Sequence, residues 1–146
     1  MPNRAPSIIL LAQVALRRRD AAAIRECIAR VESDPSVAQI GSQASLWYLT
    51  AALAALEGRT ADALAAYVRT VDLAAASGAP LEAAMAALDM AATLDPEEPQ
   101  VAGEIARGRA LFERVRAQAW LDLLDRTLAE RGAGAPSKAV PTPIEG

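Results

Sequence analysis

Residues 46–73 contain two apolar segments separated by a hinge at residues 58–60, and this arrangement constrains the fold more than any other feature. After the hinge, Leu64, Val68 and Val71 recur at helical spacing, and leucines do the same before it. Each segment therefore has an apolar stripe that a lone helix would leave in water. The pattern predicts a hairpin of two helices that bury their stripes against each other and against further helices.

The composition indicates an all-α protein of one domain. The chain has 146 residues, of which 53% are hydrophobic, mostly Ala and Leu, and only 3% are aromatic. Ala is the strongest helix former, whereas β-branched residues show no alternation of the kind that strands need. Small side chains let helices approach closely, and we expect Gly103 and Gly108 to permit such an approach. The few large rings should be buried, since they supply apolar area that Ala cannot: Trp47, Tyr67, Phe112 and Trp120.

Capping residues and helix breakers divide the chain into seven predicted helices. Asp20 can cap the second helix, Gly58 separates the third from the fourth, and Gly78 with Pro80 separates the fourth from the fifth. The expected helices cover residues 7–17, 20–33, 36–57, 60–76, 81–94, 96 or 99 to 116, and 118–131. Gly41 allows a later start of the third helix.

The end of the chain differs in composition from the rest. A change in the phase of the apolar stripe predicts a bend or break at residues 116–118, between the last two helices. Beyond residue 131 the chain is rich in Gly and Pro and has no apolar periodicity. We therefore expect a helical domain at residues 1–131, followed at residues 132–146 by a disordered tail or the remnant of a linker.

The central hairpin resembles a tetratricopeptide repeat. In that family a Trp near the start of the first helix, a Gly at the hinge, and a small residue followed by an aromatic one on the second helix interlock the pair. Trp47, Gly58, Ala63 and Tyr67 hold these places here. The resemblance implies an α-solenoid of stacked antiparallel helix hairpins, whose concave face binds proteins or peptides.

Residues 106–132 carry a second resemblance. They are similar to the closing part of tetratricopeptide-like regions in LuxR-type transcription regulators and related bacterial signalling ATPases. The shared residues are Leu111, Phe112, Glu113, Arg114 and Trp120. This resemblance implies a sensor or scaffold arm, with the ATPase and DNA-binding work done elsewhere in a longer polypeptide.

The chain lacks the residues of the common catalytic and metal sites. It has no His, and its single Cys27 cannot supply the several thiolates of a structural zinc site. The absence of His also excludes a Ser-His-Asp arrangement, and the one Lys, Lys138, lies outside any P-loop motif. We therefore expect no catalytic residue, no metal and no cofactor. Cys27 lies on an apolar helix face, which favours an inert core thiol over a redox role.

Charge and hydropathy narrow the environment of the protein. A net charge of −3 argues against direct nucleic-acid binding, which requires a concentrated basic face. The apolar runs are well below the ~18 residues of a membrane span. The apolar run near the N-terminus is interrupted by charges at residues 17–20, and no convincing cleavage site follows. We expect a cytoplasmic protein that does not bind membranes.

These observations predict a non-catalytic protein-interaction or effector-sensing scaffold of a bacterial signalling or transcription-regulatory system. Its partner would be a protein or peptide on the concave face, or a small effector, and the chain could also form a homo-oligomer. The alternative is a small helical enzyme with a carboxylate-based or cofactor-dependent site. Convergent carboxylates of perturbed pKa in a pocket would favour the enzyme.

The tetratricopeptide resemblance also implies which residues bind the partner, because the first helix of each pair lines the concave surface. Transferring this spacing to the third and fifth predicted helices assigns partner binding to Tyr48, Ala52, Leu56, Met85 and Asp89. An apolar or mixed helical peptide suits such a set, with Met85 as an adaptable contact. The alternative is that Tyr48 and Leu56 pack against the adjacent repeat.

Overall fold

The computed structural model describes residues 8–37 and 42–133, and this part of the chain contains seven α-helices and no strand. The helices are α1 Ile8–Arg17, α2 Ala21–Ser33, α3 Ser42–Leu56, α4 Thr60–Ala76, α5 Pro80–Thr93, α6 Pro99–Arg114 and α7 Gln118–Ala133. The prediction of an all-helical protein with seven helices is confirmed. Residues 132 and 133 of the predicted tail belong to α7, and the rest of the predicted tail lies outside the described residues.

The helices end where the chain adopts left-handed backbone conformations. Gly58 and Gly78 have φ values of 79° and 75°, in the left-handed region where glycine carries no steric penalty. Arg116 takes the same conformation with φ of 56° and separates α6 from α7. The predicted break at residues 116–118 is therefore present. At the N-terminal end of α2, the side chain of Asp20 accepts a hydrogen bond from the Ala23 N–H at 3.1 Å and caps the helix.

The third helix begins later than predicted. A short 3₁₀ turn, Pro35–Val37, follows α2, and α3 starts only at Ser42. The hydroxyl and backbone N–H of Ser36 both donate to Asp34 Oδ1, so this serine closes a local turn and does not cap a helix. The start predicted at residue 36 is wrong for this reason, and the later start that Gly41 allows is the one observed.

Helix contacts follow a simple order. Each helix packs against the next one along the chain, and the odd-numbered helices also contact one another in sequence, α1 with α3, α3 with α5, and α5 with α7. Among the described residues no comparable contact joins the even-numbered helices. The odd-numbered helices therefore form one layer, and α2, α4 and α6 lie on its outer side.

Helix α5 lies at the centre of the molecule. It contacts α3, α4, α6 and α7, and its residues 83–91 are buried without interruption. Such all-round burial requires small side chains, and most of this stretch is Ala. At Gly108 a Cβ would lie 2.2 Å from the Ala87 Cβ, so glycine is what lets α6 approach α5 this closely. No atom lies within 4 Å of the corresponding position at Gly103, so the expectation of a close approach is confirmed at Gly108 and wrong at Gly103.

The aromatic side chains separate into buried and exposed rings. Tyr67 and Phe112 are buried, and Trp120 is partly buried with its ring stacked on Phe112 at a centroid distance of 6.0 Å. Trp47 is 37% exposed, which corrects the prediction that it is largely buried. Successive helix residues point about 100° apart, so the burial of Tyr48 turns Trp47 toward the surface. There the Arg69 guanidinium lies 5.5 Å from its ring centroid.

Candidate functional site

A buried pair of polar side chains joins α3 to α5. The hydroxyl of Tyr48 donates a hydrogen bond to Asp89 Oδ2 between two residues that are 41 positions apart in the sequence. Both side chains are buried, and Asp89 is only 3% exposed. The Tyr67 ring packs edge-on against Tyr48, with ring centroids 6.3 Å apart. An acid therefore lies in the otherwise apolar centre of the molecule, held by a tyrosine.

Burial dominates the electrostatics of this pair. Loss of solvation raises the pKa of Asp89 to about 7, against the lowering effects of the Tyr48 hydroxyl, the Arg17 charge and the Gln13 amide. Burial also raises the pKa of Tyr48 well above its usual value, and the neighbouring Asp89 charge raises it further. The tyrosine therefore keeps its proton, while the carboxyl group exchanges its proton near neutral pH.

Three further buried polar atoms have no hydrogen-bond partner at normal geometry. They are Gln13 Nε2, Ser45 Oγ and the Tyr67 hydroxyl, each buried and unpaired within the part of the chain that the structure describes. The Gln13 side chain lies close enough to lower the pKa of both members of the pair through hydrogen bonding, although no partner lies at full hydrogen-bond geometry for its Nε2. Each unsatisfied buried group of this kind costs about 1–3 kcal/mol. The core therefore contains hydrogen-bonding atoms that its own contacts leave unsatisfied.

An open cleft lies next to this polar centre, and we call it the inner cleft. It has a volume of about 350 Å³ and is formed by α1, α5 and α7. Its lining residues are Arg17, Ala92, Leu123, Arg126, Thr127 and Glu130. Arg17 connects the two features, because it lines the cleft and its charge acts on Asp89.

The residues predicted to face a groove lie elsewhere. Tyr48, Ala52, Met85 and Asp89 are buried, and Leu56 is partly buried. Their predicted orientation toward an open groove is therefore corrected. The hydrogen bond from Tyr48 to Asp89 joins α3 directly to α5, so side chains at this spacing lie between the two helices. The alternative, in which Tyr48 and Leu56 pack against neighbouring helices, agrees with these positions.

The sequence analysis missed the residues that line the inner cleft. Arg17 belongs to α1 and Arg126 to α7, and only the folded chain brings them to one surface. A signal for Gln13 was present, since it is the one polar side chain among residues 8–16. A polar residue on an otherwise apolar stripe indicates a buried partner. That partner is the polar centre around Asp89.

Other chemistry is not visible in the described residues. They contain no group of three or more His, Cys, Asp or Glu side chains that could hold a metal ion. Cys27 is buried, and burial raises the pKa of its thiol, so little reactive thiolate forms. None of the helices in this part of the chain has the length and apolar character that a membrane span needs. Comparison with protein-family models, curated proteins and solved structures found no match for this chain.

Proposed function

We propose that this protein is a non-catalytic binding scaffold of the tetratricopeptide-like kind, which serves a bacterial signalling or transcription-regulatory system. The observation that carries the proposal is the layer of odd-numbered helices, which contact one another in chain order while the even-numbered helices lie outside them. This order is the one expected of stacked hairpins, in which the first helix of each pair lines the concave side. Hinges with left-handed Gly58 and Gly78 support the same arrangement.

The inner cleft is the place where we expect the ligand of this scaffold. It opens on the layer of odd-numbered helices and joins α1 to α7, the first and last helices of the described chain. Its volume of about 350 Å³ is at the lower end of ligand pockets and holds roughly ten waters. This size suits a small effector or one or two side chains of a peptide.

The charges of the inner cleft favour an acidic ligand. Arg17 and Arg126 outnumber Glu130, and none of the three takes part in an ion pair among the described residues. Leu123 and Ala92 supply the apolar part of the lining. A guanidinium binds a carboxylate through two parallel hydrogen bonds, which gives direction as well as affinity. The ligand class is therefore a carboxylate attached to an apolar body.

A second candidate function is a small helical enzyme that uses Asp89 as a proton acceptor or donor. The observation that favours it is the pKa of about 7, which suits a general acid or base at neutral pH. Two observations weigh against it. Asp89 is almost completely buried, and its carboxylate is already bound by Tyr48 rather than directed into the cleft.

Loss of partners on removal of the two cleft arginines tests the proposal. We expect Arg17→Ala, Arg126→Ala to lose the proteins or effectors that the wild type captures from lysate of the host, measured by quantitative mass spectrometry. The control is Arg25→Ala, Arg114→Ala, which removes two exposed arginines outside the cleft and should retain them. Equal capture by both variants would exclude the inner cleft as the binding site.

A third variant separates the two candidate functions. Asp89→Asn removes the titrating group of the enzyme hypothesis but leaves the lining of the inner cleft unchanged. The scaffold proposal expects this variant to capture the same partners as the wild type. Capture that depends on Asp89 and not on the two arginines would favour the enzyme.

A further inference from the structure

The outer face of α1 is an exposed apolar surface. Leu10 and Val14, one helical turn apart, are 51% and 49% exposed. They are two of the four large hydrophobic residues that are exposed in the described chain. The other two are Trp47, whose ring lies under the Arg69 guanidinium, and Val115, which is the C-cap of α6. A helix that is apolar on every side is normally covered on every side. In α1 the residues before Arg17 include no charged side chain.

This surface continues into a groove between α1 and α2, and we call the two together the end face. The groove has a volume of about 280 Å³, and Leu11, Val14 and Ala23 supply much of its apolar lining. On the opposite side of the same two helices, α3 packs against both α1 and α2. Within the described part of the chain, the first hairpin therefore has one side filled by a helix and another side that no helix covers.

The other end of the stack is closed by a polar helix. Outside the inner cleft, the exposed positions of α7 include Asp122 and Asp125, so the last helix also presents charge to the solvent. Solenoid repeats need such a polar outer face where the stack ends. Stacking of one copy's end face on the α7 end of another would thus bury charge against apolar side chains. A second end face is the better match.

The charges around the groove also match a second copy of themselves. Arg18 and Arg30 line it together with Asp20 and Glu26, so positive and negative side chains are equal in number. A two-fold axis through such a rim lets the arginines of one copy face acids of the other. A partner of strongly acidic or basic surface would lack this balance.

We propose that the end face of α1 and α2 binds the same face of a second copy of this chain, which forms a closed two-fold dimer. The dimer buries Leu10 and Val14 of both copies and leaves the inner cleft, on another side of α1, open to its ligand. This assembly is independent of the scaffold function. A variant can lose the dimer and keep ligand binding, and another can lose ligand binding and keep the dimer.

Sedimentation equilibrium of the full chain tests the dimer. The wild type should sediment at twice the chain mass and dissociate on dilution. Leu10→Asp, Val14→Asp should raise the dissociation constant by roughly 100- to 1,000-fold, because both copies lose both apolar side chains. Val115→Asp is the control, since it places an aspartate at an exposed apolar position outside the end face, and it should leave the dimer intact. Far-ultraviolet circular dichroism checks that each variant is folded.

A second experiment changes only the charged residues around the groove, which we call the rim, and leaves the apolar residues unchanged. Arg18→Glu, Arg30→Glu makes the rim entirely acidic, and Glu26→Arg makes it mainly basic, so each variant alone should be monomeric. Mixed together, the two should form a heterodimer. A monomeric wild type overturns the proposal. A wild-type dimer that is unaffected by both sets of changes also overturns it, because the interface would then lie elsewhere. The same holds if the two rim variants stay monomeric when they are mixed.

Discussion

Asp89 should make the folded protein less stable as the pH rises toward neutrality, which is the reverse of what paired carboxylates do. Its pKa in the folded chain is about 7, against an ordinary value of 3.8 in the unfolded chain. Between these two values the folded state holds a proton that the unfolded state has already released. The stability that depends on this proton is fully present below pH 3.8 and is lost as the pH rises through about 7.

The size of the effect follows from the same two values. Each pH unit within the window changes the free energy of unfolding by about 1.4 kcal/mol for one proton. Stability should fall by about 2 kcal/mol between pH 5 and pH 7, and by about 4 kcal/mol over the whole window. A typical domain has a free energy of unfolding of about 5–15 kcal/mol, so this single carboxyl group would be decisive.

Urea unfolding followed by circular dichroism at several pH values, about 5 to 8, measures this dependence. The chain has no His, so no other side chain with an ordinary pKa in this range obscures the result. Asp89→Asn removes the titrating proton, and we expect its stability to be nearly constant over the range and above that of the wild type at about pH 8.

A second variant tests the cause of the shift. Tyr48→Phe removes the hydroxyl that lowers the pKa of Asp89, so stability should continue to fall at higher pH than in the wild type. If wild-type stability instead rises between pH 5 and pH 7, Asp89 is charged and well solvated in the folded protein. An Asp89→Asn variant with the slope of the wild type would assign the effect to another group.

Two further pairs of variants test the packing. Gly108→Ala should destabilise the protein by about 2 kcal/mol, because the new Cβ overlaps Ala87, whereas Gly103→Ala should stabilise it by about 0.5–1 kcal/mol through helix propensity alone; unfolding changes of the same sign would contradict the contact between α5 and α6. Trp120→Ala should cost about 3 kcal/mol, since its ring stacks on Phe112, and Trp47→Ala about 1 kcal/mol. A loss below about 1 kcal/mol for Trp120→Ala would show that α7 is not docked.

The helix boundaries could be predicted because their signals are local. Gly58 and Gly78 adopt the left-handed conformation that glycine allows, and Asp20 caps the helix that follows it. Even the break between α6 and α7, where Arg116 takes a left-handed conformation although it is not glycine, followed from the phase of the apolar stripe. The predicted start of α3 was wrong because this signal is also local. Ser36 donates a hydrogen bond to Asp34 and does not cap the helix.

The orientation of the predicted binding residues could not be derived in this way. Tyr48 and Asp89 are far apart in the chain, and whether they face a groove or each other depends on how closely α3 approaches α5. That distance depends on the size of the side chains between the helices, and in this chain Ala52 and the alanines of α5 are small and buried. Side chains that helical spacing alone would place in a groove are therefore part of the core in this Ala-rich chain.

The position of Asp89 illustrates how such a core can still carry a polar group. Small residues bring four helices onto α5, so a carboxylate placed there loses its water from every side. Tyr48 supplies the hydrogen bond that compensates part of this loss, and Gln13 and Arg17 of α1 also lower the pKa of Asp89.

Because Arg17 also lines the inner cleft, an acidic ligand that binds this guanidinium would remove a charge that lowers the pKa of Asp89. Ligand binding should therefore favour the protonated carboxyl group, and proton uptake near neutral pH, measured by calorimetry in buffers of different ionisation enthalpy, would reveal it. Asp89→Asn should abolish the uptake without abolishing binding, and uptake that persists in that variant would mean that the cleft and the polar centre are not coupled.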